Sequence, residues 1–394
     1  MWYFYAPKTV FGEDALDYLA QIQGNRCFIV TDEGIIKSGM MDILTSKLKS
    51  LEKEWVVFSD VEPDPREETI LKAAKQCQKY NPDLIIALGG GSSMDVAKAV
   101  WVFYERPDLG IDDLYPFIDL KLGEKAKLIA IPTTSGTGAE TTWASIITRK
   151  TEKGDIKLEQ VHKEMIPTVA ILDPVFVKSM PPKLTASTGF DALAHLSECI
   201  ISVWRNDYSE AMALKAFELI QKYLPIVYKD GANIEAREKM HTAANMAGLA
   251  FGNAQVHLGH ALGHVLGATF HIPHGFTVGV FIPYVLQYCL NGKEADETKR
   301  ILGTFSKRAG LANWSDNDLD ASQKYIAEIK RLQKLVNHPS LSEMITREQL
   351  NAKLNLMAEW CLESPSAAMS PRGAGSEEFK KIYKYAFEKK DVNF

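Results

Sequence analysis

The chain has 394 residues, a formal net charge of −5 and an ordinary balance of apolar and charged side chains. That length favours two domains over one core, and the weak charge, with no basic stripe interleaved with aromatics, argues against a nucleic-acid partner. No apolar run is long enough to span a bilayer, so no membrane partner is expected, and MWYFYAPKTVFG does not read as a signal peptide. The five cysteines, at 27, 77, 199, 289 and 361, form no CxxC pair, which suits reduced thiols in a cytoplasmic protein.

Taken in chain order, the first ~175 residues alternate between strand-like and helix-like patterns, as in an α/β sheet. Cys27–Thr31 reads as a strand, Gly34 to Leu51 as a helix, Trp55–Phe58 as a strand and Glu67–Lys79 as a helix. Leu84–Leu88 is a buried strand that runs straight into Gly89-Gly90-Gly91-Ser92, followed by a helix over Met94–Phe103. Leu128–Ile131 is another strand, ending in PTTSGTGAE, and Ser145–Thr148 and Thr168–Leu172 look like later ones. The pattern then changes. From about Lys183 onward no alternating segment stands out, and long 3.6-residue periods cover 182–204, 208–228, 235–253, 277–291, 318–336 and 376–388. Met180-Pro181-Pro182 marks the switch, so the expected layout is an α/β domain over 1–180 and an all-helical bundle over 181–394. The charged stretch 312–345 reads as a solvated helical excursion.

Three segments of the first domain suit a dinucleotide. Backbone N–H groups of Gly90, Gly91 and Ser92, at a helix start directly after a buried strand, form a cradle for phosphate. GxGxxG itself is absent, so this is not the ordinary Rossmann fingerprint. Asp32, at the end of a strand, can accept bonds from ribose hydroxyls and would repel the extra phosphate of NADP; an N-cap is its simpler role. It precedes the glycines, the reverse of the Rossmann order, so both can touch one nucleotide only if the sheet order differs. Thr133 and Thr134, in the threonine-rich loop after Leu128–Ile131, supply hydroxyls suited to a pyrophosphate or ribose, or simply to a capped turn.

The second domain carries a metal-ligand pattern. Asp191 and His195 lie one helical turn apart in GFDALAH, and five of the nine histidines fall between 257 and 274. A lone histidine on an apolar helix is usually a hydrogen-bonded core residue, but this clustering beside a carboxylate suits a divalent transition metal in a bundle. His257, His260 and His264 share helical spacing, His274 sits between a proline and a glycine where a helix would begin, and His271 could be a surface residue; spacing leaves open which three histidines bind. The lack of cysteine in the set argues against a structural zinc site.

These residues are also those of a family. FYAPKTVFG, IVTD, EPDP, LGGGSSMDVAK, IPTTSGTGAE, STGFDALAH and HALGHVLGATFHIPHG, in this order over essentially the whole chain, resemble the iron-containing (group III) alcohol dehydrogenases. The resemblance implies an N-terminal α/β NAD-binding domain and a C-terminal helical domain, a fold shared with dehydroquinate synthases. It implies Fe(II), or alternatively Zn, on Asp191, His195, His260 and His274, with His264 beside the nicotinamide as a catalytic proton relay or a steric wall. It implies NAD on Asp32, Asp64, Gly90, Gly91, Ser92, Thr133, Thr134, Thr142 and Lys157, and Trp143 and Phe251 in the substrate pocket. The expected activity is hydride transfer between NAD(H) and a small alcohol or aldehyde in a homodimer. Gly263, where the family more often has alanine or a larger residue, and the extra His257 depart from the pattern. A dehydroquinate synthase-like lyase would need a basic pocket, which the sequence does not show near these motifs; a non-catalytic metal- or nucleotide-binding protein is the third reading.

Overall fold

The computed structural model describes residues 3–152, 154–292 and 295–394, which divide at Ser179/Met180 into two compact units. The first unit, Phe4–Ser179, is built on six parallel strands: β1 (Lys8–Phe11), β2 (Arg26–Val30), β3 (Glu54–Phe58), β4 (Leu84–Gly89), β5 (Lys127–Pro132) and β8 (Val169–Leu172), in the order β1-β8-β5-β4-β2-β3. Past the charged residues that open β2 and β5, Arg26 and Lys127, the central strands are apolar because both faces are covered. Phe28, Val30, Ile85, Ala87, Leu128 and Ala130 pack with the helices α3 (Glu67–Tyr80) and α4 (Gly91–Glu105). Cys27, Ile29, Leu84, Ile86, Ile129 and Ile131 face α2 (Met40–Ser50) on the other side.

The expected helix from Gly34 to Leu51 is two. A short α1 (Glu33–Lys37) ends before Gly39, whose φ of 78° is left-handed backbone that glycine takes without strain, and α2 restarts at Met40. β6 (Ala144–Thr151) extends the expected strand at both ends and pairs antiparallel with β7 (Gly154–Val161), a partner not foreseen; the two form a separate hairpin.

The second unit holds ten helices among its described residues: α5 (Pro182–Cys199), α6 (Asp207–Lys229), α7 (Ile234–Gly252), α8 (Leu258–Phe270), α9 (His274–Leu290), α10 (Asp296–Arg308), α11 (Asp318–Leu335), α12 (Leu341–Met344), α13 (Arg347–Glu363) and α14 (Ser376–Glu388). Pro182 opens α5, where the missing N–H costs nothing, and α5 stops at Cys199 rather than running on to 204. Asn206, Asn317 and Thr346 cap α6, α11 and α13 with their side chains. One apolar core runs through the unit. The stretch 312–345 is not a solvated excursion: Tyr325, Ile326, Ile329 and Leu332 of α11 and Leu341 beyond it are buried in that core, and the charges occupy only the outer face.

No helix among the described residues is long and apolar enough to cross a membrane. All five cysteines are free and buried.

Candidate metal centre and nucleotide loops

α5, α8 and α9 bring the second unit's chemistry together. Asp191 and His195 project from one face of α5, with Nε2 of His195 3.7 Å from Oδ1 of Asp191. Nε2 of His260, on the first turn of α8, lies 4.0 Å from the same oxygen, and Nε2 of His274, the first residue of α9, lies 3.3 Å from it. Three imidazole nitrogens therefore surround one carboxylate oxygen. The donor atoms of Asp191, His195 and His260 all lie within 4.8 Å of one another, and all three residues are buried. His274 is partly exposed, so the cluster opens on its side.

The electrostatics suit a cation. Burial would push the Asp191 carboxyl up, but His195, His274 and His260 overcome that and hold it well below the usual carboxylate range. Burial pushes the His195 imidazole down to about 3, against the pull of Asp191, so the ring is neutral and its lone pair is available. Oδ1 of Asp191 and Nδ1 of His195 are buried without a hydrogen bond of good geometry. Such atoms are costly without a ligand, and a nitrogen/oxygen donor set of this kind fits a divalent metal.

Close helix contacts make the geometry possible. A Cβ on Gly275, next to His274, would lie 1.9 Å from the Ser187 carbonyl oxygen, so α9 crosses α5 backbone to backbone. A Cβ on Gly263 would lie 2.5 Å from Cγ1 and 2.9 Å from the backbone of Val278, which explains glycine there: α8 packs directly on α9.

The remaining histidines separate by role. His264 stacks on His274, with centroids 5.0 Å apart, and meets His260 edge-on. His257 does not share the ligand face; it is the N-cap of α8, and its Nδ1 accepts from the Leu258 N–H at 2.8 Å. His271 is exposed in left-handed backbone at the end of α8. Phe251 stacks flat on His195. Sequence reasoning missed Glu198, buried on α5 and bonded to Nδ1 of His260 at 2.5 Å. The signal was available: Asp191, His195 and Glu198 fall at i, i+4 and i+7.

In the first unit Asp32, Gly90, Gly91, Ser92, Thr133 and Thr134 follow the carboxyl ends of the neighbouring strands β2, β4 and β5, where open parallel sheets bind ligands. Thr142 and Lys157 belong to the β6–β7 hairpin and the turn before it. β2 lies between β4 and β3, so Asp32 follows the strand beside the one that ends in the glycines, and the reversed chain order is accommodated. Asp32 caps α1 through Oδ1, accepting from the Ile35 N–H at 3.1 Å, while Oδ2 lies 3.4 Å from Oγ of Ser93. Gly90 is the N-cap of α4, with Gly91 and Ser92 the first helical residues. Pro132 pairs with Gly89 across β5 and β4, which sets Thr133 and Thr134 against the glycine loop; Oγ1 of Thr134 is buried without a hydrogen bond. The Thr142 hydroxyl accepts from the buried Lys98 ammonium at 2.9 Å. Asp64 and Lys157 form an ion pair at the hairpin, with Lys157 also 3.1 Å from Oγ1 of Thr148. Trp143 is half-buried at the start of that hairpin.

A parallel sheet with glycine and threonine loops at its strand ends and a buried Asp/His cluster on one chain fit the class of metal-containing dehydrogenases. Comparison with known proteins agrees. A family model described as iron-containing alcohol dehydrogenase matches residues 6–174, and its C-terminal counterpart matches residues 185–387. The chain belongs to the iron-containing alcohol dehydrogenases, enzymes that interconvert alcohols and aldehydes. It is similar to the NADPH-dependent butanol dehydrogenase of Clostridium saccharobutylicum, 36% identical over 99% of both chains. Its fold matches the alcohol dehydrogenase from Oenococcus oeni with a TM-score of 0.90, at 29% identity over 98% of this chain and 100% of that one. It also matches the sulfoacetaldehyde reductase from Bifidobacterium kashiwanohense, solved in complex with NAD+, with a TM-score of 0.83 at 28% identity over 98% and 99% of the two chains.

Proposed function

We propose that the chain is an NAD(H)-linked dehydrogenase for a small alcohol or aldehyde, with residues 1–180 binding the coenzyme and residues 181–394 binding the metal and substrate. The convergence of three imidazole nitrogens on Oδ1 of Asp191 carries the reading. Asp191, His195, His260 and His274 are the metal ligands in this account, and Fe(II) is the ion, with Zn as the alternative the same donors accept. Bound there, the metal supplies Lewis acidity toward an alcohol or carbonyl oxygen. The chain's own residues do the rest. N–H groups of Gly90, Gly91 and Ser92 hold the pyrophosphate, and Thr133, Thr134, Thr142, Asp64 and Lys157 line the coenzyme. Asp32 accepts from the adenosine ribose. Its charge favours NAD over NADP, a choice that would differ from that of the NADPH-dependent relative. His264 relays a proton, and Trp143 and Phe251 border the substrate. The same reading extends to a cytoplasmic homodimer, on the family resemblance.

The test is NAD reduction with a panel of short alcohols, before and after chelation, with metal content measured in parallel. Turnover that stops on chelation and returns with Fe(II) or Zn(II) is expected. Full turnover by metal-free protein would overturn the assignment, and net phosphate release from a phosphate-bearing substrate would point to the lyase.

A further inference from the structure

Glu198 lies one turn beyond His195 on α5, fully buried, and is not among the proposed ligands. Its carboxylate accepts from the backbone N–H of His257 at 3.2 Å and of His260 at 3.3 Å, and from that of Gly259. A helix start leaves its first N–H groups without partners, and here one carboxylate from another helix takes three of them. The carboxylate fills the space a side chain at 259 would need: a Cβ there would lie 2.6 Å from Oε1.

The fourth contact differs in kind. Oε2 of Glu198 lies 2.5 Å from Nδ1 of His260. A carboxylate can only accept there, so Nδ1 carries the proton and Nε2, the nitrogen facing Asp191, presents its lone pair. Nδ1 of His257 also lies 3.3 Å from Oε1 of Glu198, but it accepts from the Leu258 N–H and so has no proton to give the carboxylate. His195 has no such partner: its Nδ1 is buried without a hydrogen bond, and its ring is held by stacking on Phe251 and His260.

We infer that Glu198 is the positioning residue of the metal centre. It fixes the tautomer and plane of His260 for coordination through Nε2, and with Asp191 it supplies the two buried negative charges that a dication balances. This rests on the metal reading above. A carboxylate that only capped α8 would change stability and leave metal affinity alone.

The experiment strips the full-length protein of metal and titrates it with Zn(II) against a chromophoric chelator. Glu198→Gln, which keeps the shape but puts a donor among donors, is expected to weaken Zn(II) binding roughly 10- to 100-fold. Affinity within twofold of wild type in Glu198→Gln overturns the inference, provided His260→Ala has lost its affinity. If His260→Ala also binds as tightly as wild type, the ligand assignment itself has failed. Should Glu198→Gln not fold, nitrogen-15 imidazole spectra of the metal-free wild-type protein decide, with His260 assigned by its loss in His260→Ala. The Nδ1–H tautomer is expected, and the Nε2–H tautomer overturns the inference.

Discussion

Phe251 of α7 lies flat against His195 of α5, with ring centroids 3.9 Å apart and 12° between the planes. With Nδ1 of His195 lacking a hydrogen bond, this contact and the stacking on His260 are what orient the ring. Such pairs contribute roughly 0.5–1.5 kcal/mol beyond area burial. Phe251→Ala should therefore weaken metal binding about two- to tenfold, an effect read by the same Zn(II) titration. A change in alcohol preference with metal affinity intact would instead assign Phe251 to the substrate pocket alone.

Gly263 gives a prediction in which two effects oppose. Alanine in a helix interior is favoured over glycine by about 1 kcal/mol. The new Cβ, however, would meet Val278 backbone at 2.9 Å, and backbone cannot yield as a side-chain tip can. Overpacking of this kind costs roughly 1–3 kcal/mol, so Gly263→Ala should lower the unfolding midpoint and, by moving α8 off α9, loosen the metal. A raised midpoint would show that α8 and α9 adjust freely.

Asp32 caps α1 and, in the proposed reading, also accepts from the adenosine ribose, so its replacement tests both. Asp32→Gly should bring kcat/KM with NADP closer to that with NAD, and because glycine is itself an acceptable cap the stability loss should be only a few tenths of a kcal/mol. Asp32→Ala should change the coenzyme ratio similarly and cost about 1 kcal/mol. Equal efficiency with both coenzymes in the wild-type enzyme would refute the role given to its charge.

His241, buried on α7, predicts a pH dependence. Burial pushes its imidazole down to about 3, so the folded state leaves it neutral while the unfolded chain takes a proton below pH ~6.5. The unfolded state binds more protons across the window between those values, so stability falls as pH drops below ~6.5. Between pH 7.5 and pH 5 this one group should remove about 2 kcal/mol. Urea unfolding of metal-free protein at both pH values checks it: His241→Gln should lose about that much less than wild type over the same interval.

The Asp/His cluster was legible as a candidate because its chemistry is rare at its spacing: an aspartate and a histidine one turn apart, then histidines crowded before a proline-marked helix start. Spacing alone left open which of those histidines join it. The central strands were legible because burial on both faces leaves an unbroken apolar run. What was missed has physical reasons. β1 is a four-residue edge strand, and β7 pairs only with β6, so neither shows the run that sequence detects. In α11 the apolar residues that reach the core are outnumbered by charges on the outer face. Glu198 looks like any helical glutamate until α8, distant in sequence, presents its open end to it.

The crossing of Ser187 and Gly275 has a practical side. Because Gly275 has no side chain to hold the helices apart, its backbone lies against Ser187 and acts as a rivet that sets Asp191 and His274 in register. Directed evolution toward new alcohols should leave those two positions alone and vary residues that touch neither helix at this joint. The rivet then offers a fixed datum against which a reshaped pocket can be judged.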